Sequence, residues 1–352
     1  MDKKRAQQFI AKLVGDAGTV LAAGALQVGD RCGLFQAMAG TDALTPQALA
    51  ERSKLPVRVV EEWLAVMAGA GYVSYDADEG TFTLPPEHAL CLADRSSDYY
   101  LGGLFSGLQG LMASVPRLAE AMRAGTAMRF ADYGSELPLA LEAMNRTLYE
   151  SRLVRDWLHS MPQVVQRLQQ GGRALDVGCG TGVVPITLAR AFPTATVAGL
   201  DLDARSIEVA HERAREAGVG DRVQWLQAPV ASLPKQPAWD LITSFDVVHD
   251  LPDPLAALVH VREGLADGGT FLMVEPKVAD ELPENLGNPF ARMLYGMSCL
   301  HCVPQSLAQG GPGLGACWGP AHARRLATQA GFTSFRRLDV HSPTLAFYAL
   351  SP

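Results

Sequence analysis

Leu175-Asp176-Val177-Gly178-Cys179-Gly180-Thr181-Gly182 is the stretch of this 352-residue sequence that decides the fold. It reads as the end of an apolar strand, followed by a glycine-rich turn that opens a helix. Glycines at such a turn let the backbone bend tightly and let a ligand approach the main-chain amides without interference from Cβ atoms. The stretch therefore predicts a strand–loop–helix unit that cradles a ligand.

Two features separate this loop from a dinucleotide-binding fingerprint. A G-x-G-x-x-G pattern that starts at Gly178 would need a glycine at position 183, where the sequence has Val183. In addition, Asp176 lies inside the strand just before the glycines, where it would repel a pyrophosphate and attract a cationic amino group. The loop therefore predicts a ligand that carries positive charge.

Strands and helices alternate outward from this loop towards the end of the chain. We expect five short apolar strands separated by amphipathic helices, which is typical of a parallel, doubly wound sheet: 174–177, 196–200, 223–226, 241–245 and 270–274. A last pair of strands, 335–339 and 344–350, leaves no room for a helix between its members. The predicted class is α/β, a Rossmann-like sheet that ends in an antiparallel hairpin.

The N-terminal part of the sequence predicts a mainly helical, winged-helix domain. Apolar residues at helical spacing indicate helices over Val20–Met38 and Val57–Ala70. Thr45 and Pro46 are typical of an N-cap and of a first helical position. Period-2 alternation around the turn that ends at Gly80 indicates a β-hairpin, the wing, over residues 72–75 and 81–84.

These patterns divide the chain into three parts. Residues 1–95 are a winged-helix-like dimerisation domain, residues 96–170 a helical linker or substrate lid, and residues 171–352 the ligand-binding domain. The first part exposes more apolar surface than about 95 residues can bury alone, so we expect a homodimer through it. DNA binding is the other role of a winged helix, but the presumed recognition helix holds one arginine and two glutamates.

Composition favours a small-molecule partner inside the cell. The net charge of −7 argues against nucleic acid as a partner, because affinity for its backbone is carried by clustered Lys and Arg. We expect no signal peptide and no membrane association: Lys12 and Asp16 interrupt the first apolar stretch, and 101–113 is too short to span a bilayer. Six cysteines in a chain of this length favour the reducing cytoplasm.

The loop together with a second acid carries a family resemblance. Asp201 ends the second strand, where a carboxylate can accept hydrogen bonds from both ribose hydroxyls. This combination resembles the class I S-adenosylmethionine-dependent methyltransferases over about residues 170–352. More broadly, the chain resembles their two-domain small-molecule O- and C-methyltransferases of secondary metabolism. The resemblance implies S-adenosylmethionine as cofactor and these binding residues: Asp176, Gly178, Cys179, Gly180, Gly182, Asp201, Leu202, Ala228, Pro229, Val230, Ser244 and Phe245.

One position departs from the family pattern. Many members place an acid after the third strand to hold the adenine amine, whereas this sequence has Ala228-Pro229-Val230 there. We therefore expect apolar contact and backbone groups to hold the adenine, with Leu202 on its other face.

The pair His249-Asp250 follows the fourth strand, at the edge of the sheet where chemistry takes place in such folds. In the two-domain O-methyltransferases a similar histidine is the general base that removes a hydroxyl proton, a task that suits an imidazole. The alternative is a turn that caps a helix and has no chemical role. Both residues can face one site only if the chain leaves the strand here, since neighbours on a strand point to opposite faces; Pro252 and Pro254 make this plausible.

An unusual stretch, 285–319, follows the fifth strand and contains His301 inside the CxxC pair Cys299 and Cys302. With this second histidine the sequence resembles the metal-dependent α-keto acid C-methyltransferases. The resemblance implies that His249, Asp250 and His301 hold one divalent ion (iron, zinc, nickel or manganese) that chelates the keto acid, so that its β-carbon is methylated.

Other readings of the reactive end stay open. They are a metal-free O-methyltransferase with His249 as base, N- or S-methylation, a degenerate site, and a cofactor-sensing DNA-binding regulator that is not an enzyme. Arg129 and Arg152 are candidates for a substrate carboxylate, although ordinary surface roles fit them better. Six further residues are candidates for an apolar lining or, equally, for the core: Phe105, Met112, Tyr133, Met144, Tyr149 and Met297.

Overall fold

The computed structural model describes residues 1–134, 137–233 and 238–352. Its internal contacts divide the chain into two compact units. One comprises residues 1–109 and 143–147, and the other comprises residues 110–142 and 148–352.

The first unit is a winged-helix domain, as the sequence predicts. Its elements are α1 (Lys3–Arg31), α2 (Leu34–Met38), α3 (Pro46–Ser53), α4 (Val57–Gly69), β1 (Ser74–Asp76), β2 (Thr81–Thr83) and α5 (Pro86–Leu92). The Thr45 hydroxyl caps α3 by accepting a hydrogen bond from the Ala48 amide at 3.2 Å, and Pro46 opens the helix. Strands β1 and β2 pair antiparallel and form the wing, with Tyr75 opposite Phe82.

The first helix differs from the expected Val20–Met38. It begins at Lys3 and ends at Arg31, and Gly33, at φ +71°, separates it from α2. By length and composition α1 could cross a membrane, a test that core helices of soluble proteins and signal sequences also pass. Of its most apolar stretch, 11% is buried. Leu26 of this helix is buried, whereas seven of its large apolar residues are exposed: Phe9, Ile10, Leu13, Val14, Val20, Leu21 and Val28.

The segment between the wing and the sheet is mainly helical. It contains α6 (Gly102–Arg123), a 3-10 turn (Phe130–Tyr133), α7 (Leu137–Arg152), a π-turn (Leu153–Trp157), a 3-10 turn (Leu158–Ser160) and α8 (Pro162–Gln169). The predicted helical linker is interrupted at residues 124–129, where the backbone is irregular.

The second unit is built on a seven-stranded sheet. In chain order its elements are β3 (Arg173–Val177), α9 (Val183–Ala191), β4 (Thr196–Asp201), α10 (Ala204–Glu216), β5 (Val223–Gln227), β6 (Trp239–Phe245), α11 (Pro254–Gly264), β7 (Leu265–Pro276), α12 (Leu282–Asn285), α13 (Pro289–Met297), α14 (Val303–Ala308), α15 (Pro320–Gln329), β8 (Ser334–Arg337) and β9 (Leu345–Ser351). The strand order is β5-β4-β3-β6-β7-β9-β8.

Strand directions confirm the predicted sheet. The first five strands are parallel, whereas β9 runs antiparallel between β7 and β8. Successive residues of β3 point into different cores, Ala174 into one and Leu175 into the other, so apolar side chains cover both faces. The carboxyl ends of β3, β4 and β6 therefore meet at one edge, where the order reverses.

Candidate functional site

The glycine loop leaves room for a ligand at one position. Gly180 has φ +51°, and a Cβ built there would meet no heavy atom within 4 Å. The neighbouring glycines serve packing instead: a Cβ on Gly178 would come within 2.5 Å of Val247, and one on Gly182 within 2.6 Å of Trp225. The main chain around Gly180 is thus the open part of the loop.

Asp201 fixes that open part from the end of β4. One carboxylate oxygen accepts a hydrogen bond from the Gly180 amide at 2.8 Å, and the other accepts one from the Asp203 amide at 2.8 Å. Each oxygen has a second lone pair, so the carboxylate can still accept two hydroxyl groups. Burial raises its pKa above the ordinary value.

Asp176 is a buried acid on β3. The Thr243 hydroxyl donates a hydrogen bond to it at 2.5 Å, and no salt bridge joins it to a basic side chain within the described part of the chain. Burial, reinforced by the charge of Asp201, raises its pKa to about 8. A cationic group bound beside it would favour the ionised carboxylate.

The remaining residues expected to bind the cofactor lie around this edge. Leu202 is exposed, and Pro229 lies beside Ala228, whose amide donates to the Asp201 carbonyl at 3.0 Å. The others are buried: Cys179, Val230, Ser244 and Phe245. The ring of Phe245 packs against Tyr149, with a centroid distance of 5.0 Å, so it belongs to an aromatic cluster of the core.

The chain leaves β6 before the His-Asp pair, as the sequence requires. Asp246, the first residue after the strand, has φ +57°, and a 3-10 turn then runs from Val248 to Asp250. This turn brings His249 Nε2 within 3.3 Å of Asp250 Oδ1. Two neighbouring side chains therefore face one site, which a regular strand would forbid.

Glu275, near the end of β7, orients the imidazole. Its Oε2 lies 2.5 Å from His249 Nδ1 and accepts a hydrogen bond from Trp318 Nε1 at 3.1 Å. Its Oε1 accepts one from the Val248 amide at 3.1 Å. A proton on Nδ1 is shared with this buried carboxylate, which leaves Nε2 facing Asp250.

Charge around the imidazole sets its protonation. Burial opposes a positive charge on His249, but the carboxylates of Asp250 and Glu275 outweigh it and hold its pKa well above the ordinary value. A proton or another cation between Nε2 and Asp250 is the arrangement that this geometry favours.

The stretch after α13 brings further side chains close to His249 and Asp250. Residues Ser298–Cys302 form a π-turn, in which His301 and Cys302 are both buried. The sulfur of Cys302 and one ligand atom each of His249 and Asp250 lie within 4.8 Å of one another. Burial raises the pKa of the Cys302 thiol to about 11.

His301 lies beside this cluster but not within it. Its ring contacts Phe130 and Tyr133 edge to face, with centroid distances of 5.7 and 5.0 Å. Its Nε2 and Asp250 Oδ1 are buried atoms with no hydrogen-bond partner among the described residues. Burial lowers the pKa of His301, while Asp250 acts against that effect and His249 adds to it, so the three groups lie in one electrostatic neighbourhood.

Two parts of the chain match known protein families. Residues 168–331 match the methyltransferase domain family, and residues 21–94 match the Rv2258c-like winged HTH domain. By this match, residues 168–331 form a methyltransferase domain. The glycine loop, Asp201 and the His249–Glu275 pair all belong to this methyltransferase domain.

Individual relatives resemble parts of the chain. The ubiquinone biosynthesis O-methyltransferase of Paracidovorax citrulli is 34% identical over 132 residues, which are 37% of this chain and 52% of that protein. The chain spans between about a quarter and a half of the length of the first curated relatives it matches.

Solved structures show the same fold over nearly the whole chain. A Nostoc punctiforme protein provisionally named an O-methyltransferase has a TM-score of 0.73 at 18% identity, over 97% of this chain and 98% of that one. Human N-acetylserotonin methyltransferase, in complex with S-adenosylmethionine, has a TM-score of 0.66 at 15% identity, over 97% of each chain.

The remaining candidate residues differ in their surroundings. Arg129 is exposed and pairs with Asp132, and Arg152 lies 3.7 Å from Asp156. Among the suggested lining residues, the hydroxyl of Tyr133 donates to the Leu300 carbonyl at 2.7 Å, and Tyr149 donates to Asp246 at 3.3 Å. The other four have diverse surroundings: Met112 is exposed, Phe105 packs in the winged-helix core, Met144 is half-buried, and Met297 packs near Tyr133.

Sequence reasoning did not find two groups of the reactive end. Glu275 directly follows the predicted strand 270–274, and Cys302 stands out in the sequence only as half of a CxxC pair. A carboxylate inside a run such as Met273-Val274-Glu275-Pro276 is itself a signal, because an acid so placed needs a partner.

Proposed function

We propose that this protein transfers a methyl group from S-adenosylmethionine to a small molecule. The observation that carries the proposal is the shared edge of the sheet: the open loop at Gly180, pinned by Asp201, lies at the same edge as the buried pair His249–Glu275. A site that binds a cofactor and a site that can move a proton are thus adjacent.

The cofactor would rest on groups already described. Asp176 suits the cationic amino group, Asp201 the two ribose hydroxyls, and Leu202 with the segment Ala228–Val230 the adenine. The cofactor supplies an electrophilic methyl group. The chain's own residues bind it, orient it and hold the acceptor.

We favour an oxygen acceptor with His249 as the base. With Nδ1–H donated to Glu275, the Nε2 atom can take the proton of an acceptor hydroxyl as its oxygen gains the methyl group. The raised pKa opposes this role in the free protein, but positive charge on a bound cofactor lowers it by repulsion. The O-methyltransferase names among the relatives support the same reaction.

A metal-assisted reaction is the second candidate, and the donor atoms that lie close together beside His249 favour it. Asp250 Oδ1 and His301 Nε2 are buried acceptors near His249, with the Cys302 sulfur close by. Nitrogen, oxygen and sulfur donors suit zinc, iron or nickel, so the residues fit an ion. His249, Asp250 and His301 would hold it, or Cys302 in place of His301. Bound there, the ion would acidify the carbon next to a ketone in a 2-oxo acid.

Calorimetric titration with S-adenosylmethionine tests the assignment of the cofactor. Asp201→Ala should weaken binding, because two charge-assisted hydrogen bonds worth roughly 1.5–3 kcal/mol each are lost. Asp203→Ala is the matched control: its carboxylate caps α10 at Ser206, so that variant should lose stability and keep its affinity. Equal affinity of the parent and Asp201→Ala would refute the assignment.

Elemental analysis together with His301→Ala separates the two reactions. If His301 is a ligand, the parent carries stoichiometric metal, and the variant loses metal and activity together while S-adenosylmethionine affinity stays. Cys299→Ser, at the exposed cysteine of the pair, is the control and should change neither. Active parent protein without metal, insensitive to chelators, would leave O-methylation as the reaction.

We further propose that the winged-helix domain forms a homodimer and does not bind DNA. Its α1 exposes a row of large apolar side chains, such as Leu13 and Leu21. The one arginine of the presumed recognition helix, Arg58, is paired with Glu61 and Glu62 and has little charge left for phosphates. Salt-dependent DNA binding at physiological ionic strength would instead favour the regulator.

A further inference from the structure

Asp246 has a backbone conformation that its residue type does not favour. Its φ is +57°, and within the described ranges Lys54 is the only other residue besides glycine with a positive φ. Glycine would adopt this conformation without strain, whereas other residues pay about 1–2 kcal/mol for it. Strained backbone at a residue other than glycine is typical of functional sites, which suggests a functional role for the Asp246 carboxylate.

The carboxylate of Asp246 has no Lys or Arg partner among the described residues, and the positive charge that acts on it is that of His249. The carboxylate accepts a hydrogen bond from the Tyr149 hydroxyl at 3.3 Å. Asp246 is half-buried as a whole residue. Burial and the nearby Glu275 raise its pKa to about 7.

The position of Asp246 lies between the two ends of the proposed site. On one side, the next residue, Val247, packs against Gly178 of the glycine loop, so closely that a Cβ on Gly178 would clash with it. On the other side, the Asp246 amide donates to the Val274 carbonyl at 2.9 Å, directly before Glu275. His249 follows three residues later. Asp246 therefore lies between the glycine loop and the His249–Glu275 pair.

The chemistry of methyl transfer places the sulfonium group of the cofactor at that junction. The sulfur–methyl bond must face the acceptor while the rest of the cofactor rests on the loop. During transfer this bond breaks, its electron pair stays on sulfur, and the methyl carbon bonds to the acceptor atom. The sulfonium cation thereby becomes a neutral thioether and the acceptor's proton passes to His249, so the positive charge leaves the sulfur.

We propose that Asp246 is a specificity residue that distinguishes the charged methyl donor from its neutral product, S-adenosylhomocysteine. The inference rests on the proposed function. The carboxylate attracts the sulfonium and gains little from the thioether, so it favours binding of the donor and release of the product.

Paired titrations with S-adenosylmethionine and S-adenosylhomocysteine test the inference. Asp246→Asn removes the charge and keeps the shape, and asparagine tolerates a positive φ as aspartate does. We expect donor affinity to fall about ten- to a hundredfold, the range for one charged contact, while product affinity changes less than about threefold. Tyr149→Phe is the matched control, because it removes only the hydrogen bond and should keep the ratio of the two affinities.

Other outcomes decide against the inference. An Asn variant that loses both affinities equally, or neither, would show that Asp246 has only a structural role. If Asp246→Asn does not fold, Asp246→Gly, which fits the backbone without strain, should give the same change in ratio. A parent protein that binds neither compound would refute the proposed function itself, and is thus distinguishable from a parent that binds both with an Asn variant of unchanged ratio.

Discussion

Gly180 and Gly199 give the most direct mutational comparison. Gly180 has open space where a side chain would be, whereas a Cβ on Gly199 would lie 2.7 Å from the Trp225 ring and 2.9 Å from Cys179 Sγ. Gly180→Val should abolish S-adenosylmethionine binding, because the branched side chain fills the ligand's space. Its fold should survive with a loss of about 1–2 kcal/mol for the left-handed backbone. Calorimetry and thermal melting measure the two quantities.

Gly199→Ala should behave in the opposite way. The added methyl group overpacks the core beneath the loop, so stability should fall by about 1–3 kcal/mol while affinity for S-adenosylmethionine changes little in the folded fraction. Undiminished binding by Gly180→Val would mean that the cofactor does not lie over this glycine.

Some roles of single residues depend on the fold and so cannot be read from sequence. Gly178, Gly180 and Gly182 look equivalent in the sequence, yet two of them accommodate Val247 and Trp225. Glu275 reaches His249 because β6 and β7 are paired with Phe245 opposite Val274, a register that no local pattern specifies.

Helix α1 is the element with the largest consequence for assembly. Leu21 is 74% exposed, and six other large apolar side chains of the helix are also exposed. Leu21→Glu should weaken the proposed dimer about tenfold or more, since a buried charge at an apolar interface is costly. Gln8→Glu, which adds the same charge at an exposed polar position, is the control. Sedimentation of a well-folded parent monomer at micromolar concentration would contradict the proposal.

Elements with strict periodicity could be predicted, and α1 could not be predicted in full. The strands β3 to β7 lie where the short apolar runs place them, because each run is bounded by turn residues. Residues 3–19 of α1 include Gly15 and Gly18 and are all exposed, so no stripe packed on a core marks them as helical. The π-turn that buries both His301 and Cys302 has no local signature either.

Stability of the whole molecule should depend on pH through its buried acids. The pKa is raised to about 8 at Asp176 and to about 7 at Asp246, both mainly by burial, against 3.8 for the unfolded chain. The folded protein therefore binds more protons than the unfolded chain between about pH 4 and 8, and its stability falls as pH rises through that window. His249, whose pKa is also raised, acts in the same direction.

Thermal melting with and without S-adenosylmethionine measures this effect. The ligand-free protein should melt at a lower temperature at pH 8 than at pH 6, by about 2–4 °C for each kcal/mol lost. A bound cation favours ionised carboxylates, so the ligand should stabilise more at pH 8. Asp176→Asn should flatten the ligand-free dependence. A melting temperature that rises from pH 6 to pH 8 in the free parent would contradict these assignments.

The antiparallel strand β9 also affects how the protein is made on the ribosome. It lies between β7 and β8, and Ala346 pairs with Glu275, which is synthesised 71 residues earlier (346 − 275). At about 5–20 residues per second, β7 waits roughly 4–14 s with one edge unpaired. During that time the nascent chain presents an apolar strand edge to other chains, a known route to aggregation. Glu275, whose carboxylate contacts the His249 imidazole, therefore gains its second neighbouring strand only late in translation.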